Sequence, residues 1–89
     1  MAVATADAAE HVVAIDGVTF DPPILTVERG DTVVWINKDP FPHTVTAAKA
    51  FDSHEIAAGA SWKLTARKPG VYAYVCTLHP NMKGTLTVR

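Results

Sequence analysis

A short segment near the C-terminal end carries three side-chain types that bind soft metals. Cys76, His79 and Met82 follow one another at intervals of three residues, between two predicted strands. We therefore expect this segment to be the turn that joins those strands, where its side chains can point at one place. His43 follows the proline-containing segment 40–42 and completes the set if its strand lies beside the one that ends at Cys76. Together these residues would supply one thiolate, two imidazoles and one thioether.

This set of donors favours copper over other biological metals. Two histidines and one cysteine with a weak axial methionine suit copper that cycles between Cu(I) and Cu(II). Zinc prefers cysteine and histidine to a thioether, and calcium and magnesium require oxygen ligands. Because the mixture satisfies neither oxidation state of copper fully, fixed ligands need little rearrangement when an electron moves. The sequence thus predicts one Cu(I)/Cu(II) ion per chain, with four candidate ligands: His43, Cys76, His79 and Met82.

Taken singly, each candidate has an ordinary structural interpretation. A lone cysteine or methionine usually fills space in a hydrophobic core, and a lone histidine usually lies in a loop. The joint pattern at fixed spacing is what favours a metal site. The other two histidines, His11 and His54, lie outside the pattern, and His54 is interpreted as a solvated loop residue.

Length, charge and composition narrow the classes of function. The 89 residues suffice for one domain, predicted over residues 1–89, with the first ten frayed or forming a short edge strand. A net charge of -1 without a basic stripe gives no reason to expect binding to nucleic acid or to an anionic membrane. No apolar stretch approaches the ~20 residues of a membrane helix. The single cysteine, Cys76, excludes a disulfide within the chain.

The N-terminal segment has neither the basic nor the apolar region of a signal peptide. It is typical either of an initiator methionine placed before a processed N-terminus or of a native cytosolic start. Composition alone leaves these alternatives open.

Short β-strands are the elements that must position the candidate ligands. Runs rich in Val, Ile, Thr, Trp and Tyr predict strands at 11–16, 18–20, 24–28, 32–37, 43–47, 61–65, 71–76 and 85–88. The segment 49–59 has no clear period and is expected to be a loop or one short helical turn. Alternation places Tyr72, Tyr74 and Cys76 on one face, interpreted as the core face. Many short strands in one small domain predict an all-β sandwich or barrel.

At these residues the chain resembles the cupredoxins. The resemblance is carried by residues 30–37, by Pro42-His43 and, most specifically, by residues 70–84. The short Cys-x2-His-x2-Met loop is most similar to that of the amicyanin branch of the family. The resemblance implies a Greek-key β-sandwich of about seven to eight strands.

The resemblance also implies roles for individual residues. His43, Cys76 and His79 would be equatorial ligands of a type 1 copper, with Met82 axial, and electrons would leave through the solvent-facing His79. The implied function is a monomeric, periplasmic, diffusible one-electron carrier that docks transiently with redox proteins near His79. A dehydrogenase as donor and a c-type cytochrome as acceptor are the candidate partners. For such a carrier, the mostly apolar rim of the docking face would comprise Phe41, Pro42 and Pro80, with Pro40 as a further candidate. Three charged residues would influence which partner docks: Lys38, Lys83 and Asp39.

Two other functions fit the residues less well. A copper enzyme needs an open coordination position or a second metal, together with a substrate pocket. Here one site would use all the candidate ligands, and no acid–base pair is evident nearby. A copper storage or delivery protein would offer exposed, exchangeable thiolates or methionines, which a single cysteine in a mixed set does not.

Three positions depart from the family pattern. Thr44 stands where asparagine is usual, so the side-chain bond that steadies the ligand loop is expected to differ, although the Thr44 amide can still donate to Cys76 Sγ. Asn81 replaces a phenylalanine, which makes the rim around His79 less apolar. Leu78 replaces a proline and has a backbone N–H that proline lacks. Either that N–H folds back to the cysteine sulfur, or it faces water.

Overall fold

The computed structural model describes residues 8–89, in which nine β-strands form two sheets. In chain order the strands are β1 Glu10–Ile15, β2 Phe20–Asp21, β3 Ile24–Val27, β4 Thr32–Asn37, β5 Thr46–Ala47, β6 Phe51–Asp52, β7 Ser61–Thr65, β8 Gly70–Cys76 and β9 His79–Val88. One sheet has the order β2-β1-β4-β7 and the other β3-β9-β8-β5-β6. The predicted all-β sandwich is confirmed. No helix within residues 8–89 is long and apolar enough to cross a membrane.

The core lies between the two sheets, as the alternation of side chains predicts. Trp35 is fully buried at its centre, with ring centroids 5.5 Å from Trp62 and 5.6 Å from Tyr74. Tyr74 and Cys76 on β8 are both buried, which confirms their common core face. Aromatic and aliphatic packing therefore continues along β8 as far as Cys76, at one end of the sandwich.

Strand pairing brings the candidate ligands to that end. Parallel pairing of β1 with β4 sets Ile15 opposite Asn37, so β4 ends where β1 ends. On the other sheet, Thr46 of β5 pairs with Val75 of β8, one residue before Cys76. The segment 38–45 thus connects one sheet to the other and passes beside the end of β8.

The predicted strand over 43–47 is wrong in its first half, because its backbone amides bind side chains from other parts of the chain. The Thr44 amide donates to Cys76 Sγ and the Val45 amide donates to Ser53 Oγ, so neither joins a β-ladder. His43 forms only an isolated bridge with Ile56. The segment 49–59 is thereby tied to the site through β6 and this bridge, without a helical turn.

Two other strands differ from prediction by more than one residue at an end. The strand expected over 18–20 is instead a turn followed by β2, because Val18 has a φ of 58°. The last strand, expected at 85–88, begins at His79, so the turn between β8 and β9 is only Thr77-Leu78. The predicted frayed segment 1–10 falls largely outside the described residues, and Glu10 already belongs to β1.

Candidate metal centre

The structure brings His43, Cys76 and His79 together at the end of the sandwich. Their ligand atoms all lie within 4.8 Å of one another. Cys76 Sγ is 3.6 Å from Nδ1 of His43 and 3.8 Å from Nδ1 of His79. An ion about 2.3 Å from a thiolate and ~2.0 Å from an imidazole, with trigonal angles, would separate these atoms by about 3.7 Å. The spacing therefore fits a metal held between the sulfur and both rings.

Met82 lies three residues after His79, in an irregular stretch of β9. Val75 pairs with Lys83, but the next residue of β8, Cys76, pairs with His79, so residues 80–82 have no partner and form a bulge. Bulges redirect side chains and are common beside functional sites. Met82 is 3% exposed and belongs to the core cluster.

The two histidines differ in their access to solvent. His43 and Cys76 are completely buried, whereas His79 is partly exposed. Phe41 packs against both imidazoles, with ring centroids 5.2 Å from His43 and 5.6 Å from His79, and is itself 38% exposed. Thus His79 and the Phe41 ring form the outer surface over the site.

A buried carboxylate holds the ring of His43. Nε2 of His43 lies 2.7 Å from Oδ2 of Asp39. The same Oδ2 accepts a hydrogen bond from the Val18 amide, and Oδ1 accepts one from the Gly17 amide. Burial by itself would raise the pKa of Asp39, but the bonds from Val18, Gly17 and His43 together lower it below the ordinary value. Because an ionised carboxylate only accepts, Nε2 carries the proton and Nδ1 is free to bind a metal.

Asn37 fixes the segment that carries this carboxylate. Its side chain is fully buried, and Nδ2 donates to the carbonyl oxygens of Phe41 and Ile56, both at 2.9 Å. Its Oδ1 accepts the amide of Asp39 at 2.9 Å. One amide side chain therefore shapes the loop that leads from β4 to His43.

Sequence reasoning missed the roles of Asn37 and Asp39. Asp39 was expected to be a surface charge that selects partners, which is wrong because only 6% of the residue is exposed. The sequence places Asp39 four residues before His43. That spacing permits contact between the two side chains, but it does not show in which direction the carboxylate points.

Thr44 replaces the bond that asparagine was expected to supply. Its Oγ1 accepts the Thr77 amide at 2.9 Å and lies 3.1 Å from the hydroxyls of Thr77 and Thr46. Because the Thr46 hydroxyl donates to Asp52, Thr44 must donate to Thr46 and accept from Thr77. The result is a directed chain of hydrogen bonds that ties the ligand loop to β5.

The alternatives for Leu78 are also resolved. Among residues 8–89, the only backbone amide that donates to Cys76 Sγ is that of Thr44, at 3.3 Å. Leu78 lies at the tip of the β8–β9 turn with 45% of its surface exposed. The structure therefore favours the interpretation in which its amide faces water.

The remaining histidines lie apart from the cluster. Nε2 of His11 lies 2.9 Å from the carboxylate of Asp31. Asp31 directly precedes β4, whereas the candidate ligands lie near the other end of that strand. The side chain of His54 is 86% exposed, which confirms its interpretation as a solvated loop residue.

Comparison with known proteins agrees with this geometry. The profile of the cupredoxin-like domain matches residues 1–88. Amicyanin of Paracoccus versutus is 32% identical over 94 residues, which cover 99% of this chain and 71% of that protein. Plastocyanin of Scenedesmus fuscus is 31% identical over 88 residues, covering 79% of this chain and 86% of that one.

Solved structures give the same result. The Cu(I) form of a methionine-to-alanine mutant of amicyanin superimposes with a TM-score of 0.85 at 31% identity, covering 90% of this chain and 82% of that chain. A copper-containing nitrite reductase of Thermus scotoductus also matches, with a TM-score of 0.84 at 29% identity, but the match spans only 22% of its chain. The amicyanin and plastocyanin relatives are electron carriers rather than enzymes. The chain therefore belongs to the cupredoxin family of electron carriers, and its cofactor is copper.

Proposed function

We propose that this chain is a type 1 copper protein that diffuses between redox partners in the periplasm, with residues 1–89 forming one copper-binding domain. His43, Cys76 and His79 would hold the ion equatorially and Met82 axially. The observation that carries the proposal is the approach of one thiol and two imidazoles to within 4.8 Å, with the thiol and one imidazole fully buried. When bound in such a set, copper supplies a couple between Cu(I) and Cu(II).

The surrounding residues hold the ligand side chains in place through hydrogen bonds. Asp39 orients the ring of His43, and the Thr44 amide and hydroxyl fix the sulfur and the start of the ligand loop. Ligands that are already positioned need little rearrangement when the charge of the site changes. This rigidity is the property that a one-electron carrier requires.

Spectroscopy of the copper-loaded chain tests the proposal. We expect one Cu(II) per chain, an intense thiolate-to-copper absorption, and reversible reduction. Cys76→Ser should abolish the absorption, whereas His54→Ala should leave it unchanged because His54 is a solvated loop residue. Colourless Cu(I) that exchanges rapidly with a chelator would instead indicate a delivery protein and contradict the proposal.

Copper should also stabilise the fold. His43 and Cys76 are 33 residues apart in sequence, so a shared ion binds the folded chain far better than the unfolded one. At a free-ion concentration of a hundred times Kd, this linkage amounts to about 2.7 kcal/mol. The copper form should therefore melt at a clearly higher temperature than the apo form, and equal melting temperatures would contradict a site built from both segments.

Partners are proposed to dock on the surface around His79. A small apolar rim there consists of four exposed residues: Phe41, Pro42, Leu78 and Pro80. Such a small apolar surface suits weak, transient association. Leu78→Ser should slow electron transfer to a c-type cytochrome. Val71→Ser is the matched control, because Val71 is 72% exposed and lies five residues before Cys76 on β8, about 16 Å away. Equal effects of the two variants would rule out this face.

The proposed periplasmic location is supported by the state of the thiol. Cys76 is completely buried, and a buried thiol is protected from the oxidation expected in that compartment. A thiol reagent should therefore fail to modify the folded copper protein. Rapid stoichiometric labelling with copper still bound would remove this support.

A further inference from the structure

Three hydrogen bonds hold the carboxylate of Asp39, although the residue lies in a loop. Its Oδ1 accepts the Gly17 amide at 2.7 Å, and its Oδ2 accepts the Val18 amide at 2.9 Å and the Nε2–H of His43 at 2.7 Å. Its own amide is held by Asn37. The carboxylate therefore joins the turn between β1 and β2 to a candidate copper ligand.

The turn that supplies these amides is conformationally strained. Val18 has a φ of 58° and Gly17 a φ of 62°. A β-branched residue in the left-handed region is an outlier that persists only when its surroundings enforce it. The two amides point at Asp39 because of this conformation, and they prevent the carboxylate from turning towards solvent.

We infer that Asp39 is a positioning residue that sets both the orientation of His43 and the reduction potential of the copper site. This inference rests on the proposed function. With Cu(II), the ion, the thiolate and the carboxylate sum to a charge of zero, whereas with Cu(I) they sum to -1. Since a buried charge is weakly screened by salt, the carboxylate favours the oxidised state. Through its hydrogen bond it also increases the basicity of the ligating imidazole.

The chain contains a matched control for this effect. Asp31 accepts the amides of Ala9 and Glu28, both at 3.0 Å, and Nε2 of His11 at 2.9 Å. Asp31 and Asp39 thus each accept two backbone amides and one histidine Nε2. The histidine that binds Asp31, His11, is not a candidate copper ligand. The six-residue strand β4 and Lys38 lie between the two aspartates, and the length of β4 alone amounts to about 20 Å.

The test compares Asp39→Asn with Asp31→Asn in the full copper-loaded chain. Asparagine is nearly isosteric with aspartate and keeps one of its two acceptor oxygens, but it removes the charge. Asp39→Asn should raise the equilibrium constant for reduction at least tenfold, equivalent to about 59 mV for one electron. Asp31→Asn should leave that constant unchanged, although both substitutions lower the melting temperature. A constant within twofold of wild type in Asp39→Asn, or equal shifts in both variants, would overturn the inference.

A measurement on the wild-type protein covers the case in which Asp39→Asn fails to fold. In the diamagnetic Cu(I) form, the Nε2–H proton of His43 should be observable by NMR and should exchange with water much more slowly than that of His79. Equally rapid exchange would show that the bond to Asp39 is absent and would overturn the inference. A wild-type protein without thiolate-to-copper absorption would overturn the proposed function itself, so the two failures are distinguishable.

Discussion

The hydroxyl of Thr44 joins the two segments that carry the candidate ligands, and replacing it with valine tests that link. Valine has nearly the same shape but cannot accept the Thr77 amide, which now lies 2.9 Å from Thr44 Oγ1. A donor left without an acceptor costs about 2 kcal/mol, and the added methyl group returns about 0.8 kcal/mol by burial. The expected net loss of about 1 kcal/mol lowers the folding equilibrium constant roughly fivefold.

Urea unfolding of the apo protein measures this loss. Thr46→Val is the control, because it removes the next hydroxyl in the chain, whose other partner is the exposed Asp52, and should cost less than about 0.5 kcal/mol. The backbone amide of Thr44 remains, so the thiolate-to-copper absorption should survive in Thr44→Val. Electron self-exchange should become slower because the loop is held less firmly. Equal stability of the two variants would refute the argument that Thr44 anchors the ligand loop.

Three further predictions follow from particular contacts. Gly84→Ala should destabilise the fold by about 1–3 kcal/mol, because a Cβ there would overlap the buried Tyr74 ring. A smaller effect of this substitution in a Tyr74→Leu background, measured by urea unfolding, would confirm the clash, and an equal effect would contradict it. Asp31, whose pKa is lowered by the hydrogen bond from His11 and then by backbone amides, stabilises the fold above its unfolded pKa and loses this effect as the pH falls through its folded pKa. The melting-temperature advantage of wild type over Asp31→Asn should therefore shrink as the pH is lowered below about 4, and a constant difference would contradict this. Leu78→Pro should leave the reduction potential nearly unchanged in voltammetry, since the Leu78 amide does not contact the sulfur, and a marked fall in potential would restore the rejected alternative.

Much of the site was predictable because its chemistry is local in sequence. Cys76, His79 and Met82 are close neighbours in the chain, so their shared location needed only a turn between two strands. Alternation along β8 predicted that Cys76 faces the core with Tyr74, because successive side chains of a strand point to opposite faces. The soft character of these donors by itself favours copper.

The strand boundaries near the site were less predictable, since they depend on competing hydrogen bonds. The Thr44 and Val45 amides bind the side chains of Cys76 and Ser53, which are distant in sequence, and so β5 is shorter than its β-forming residues suggest. The bulge at 80–82 likewise arises from the register between β8 and β9. Propensity and periodicity carry no information about such long-range partners.

The sequence by itself determined which atoms could bind the metal, because side-chain type fixes donor chemistry. It also determined the all-β architecture, through the spacing of apolar residues and turns. Only the tertiary structure decided how the ligands are held. Asp39 binds both the strained turn at Val18 and the ring of His43, and Thr44 binds Thr77 across 33 residues. The direction of a buried polar side chain depends on which groups the fold places around it, and those groups come from separate parts of the chain.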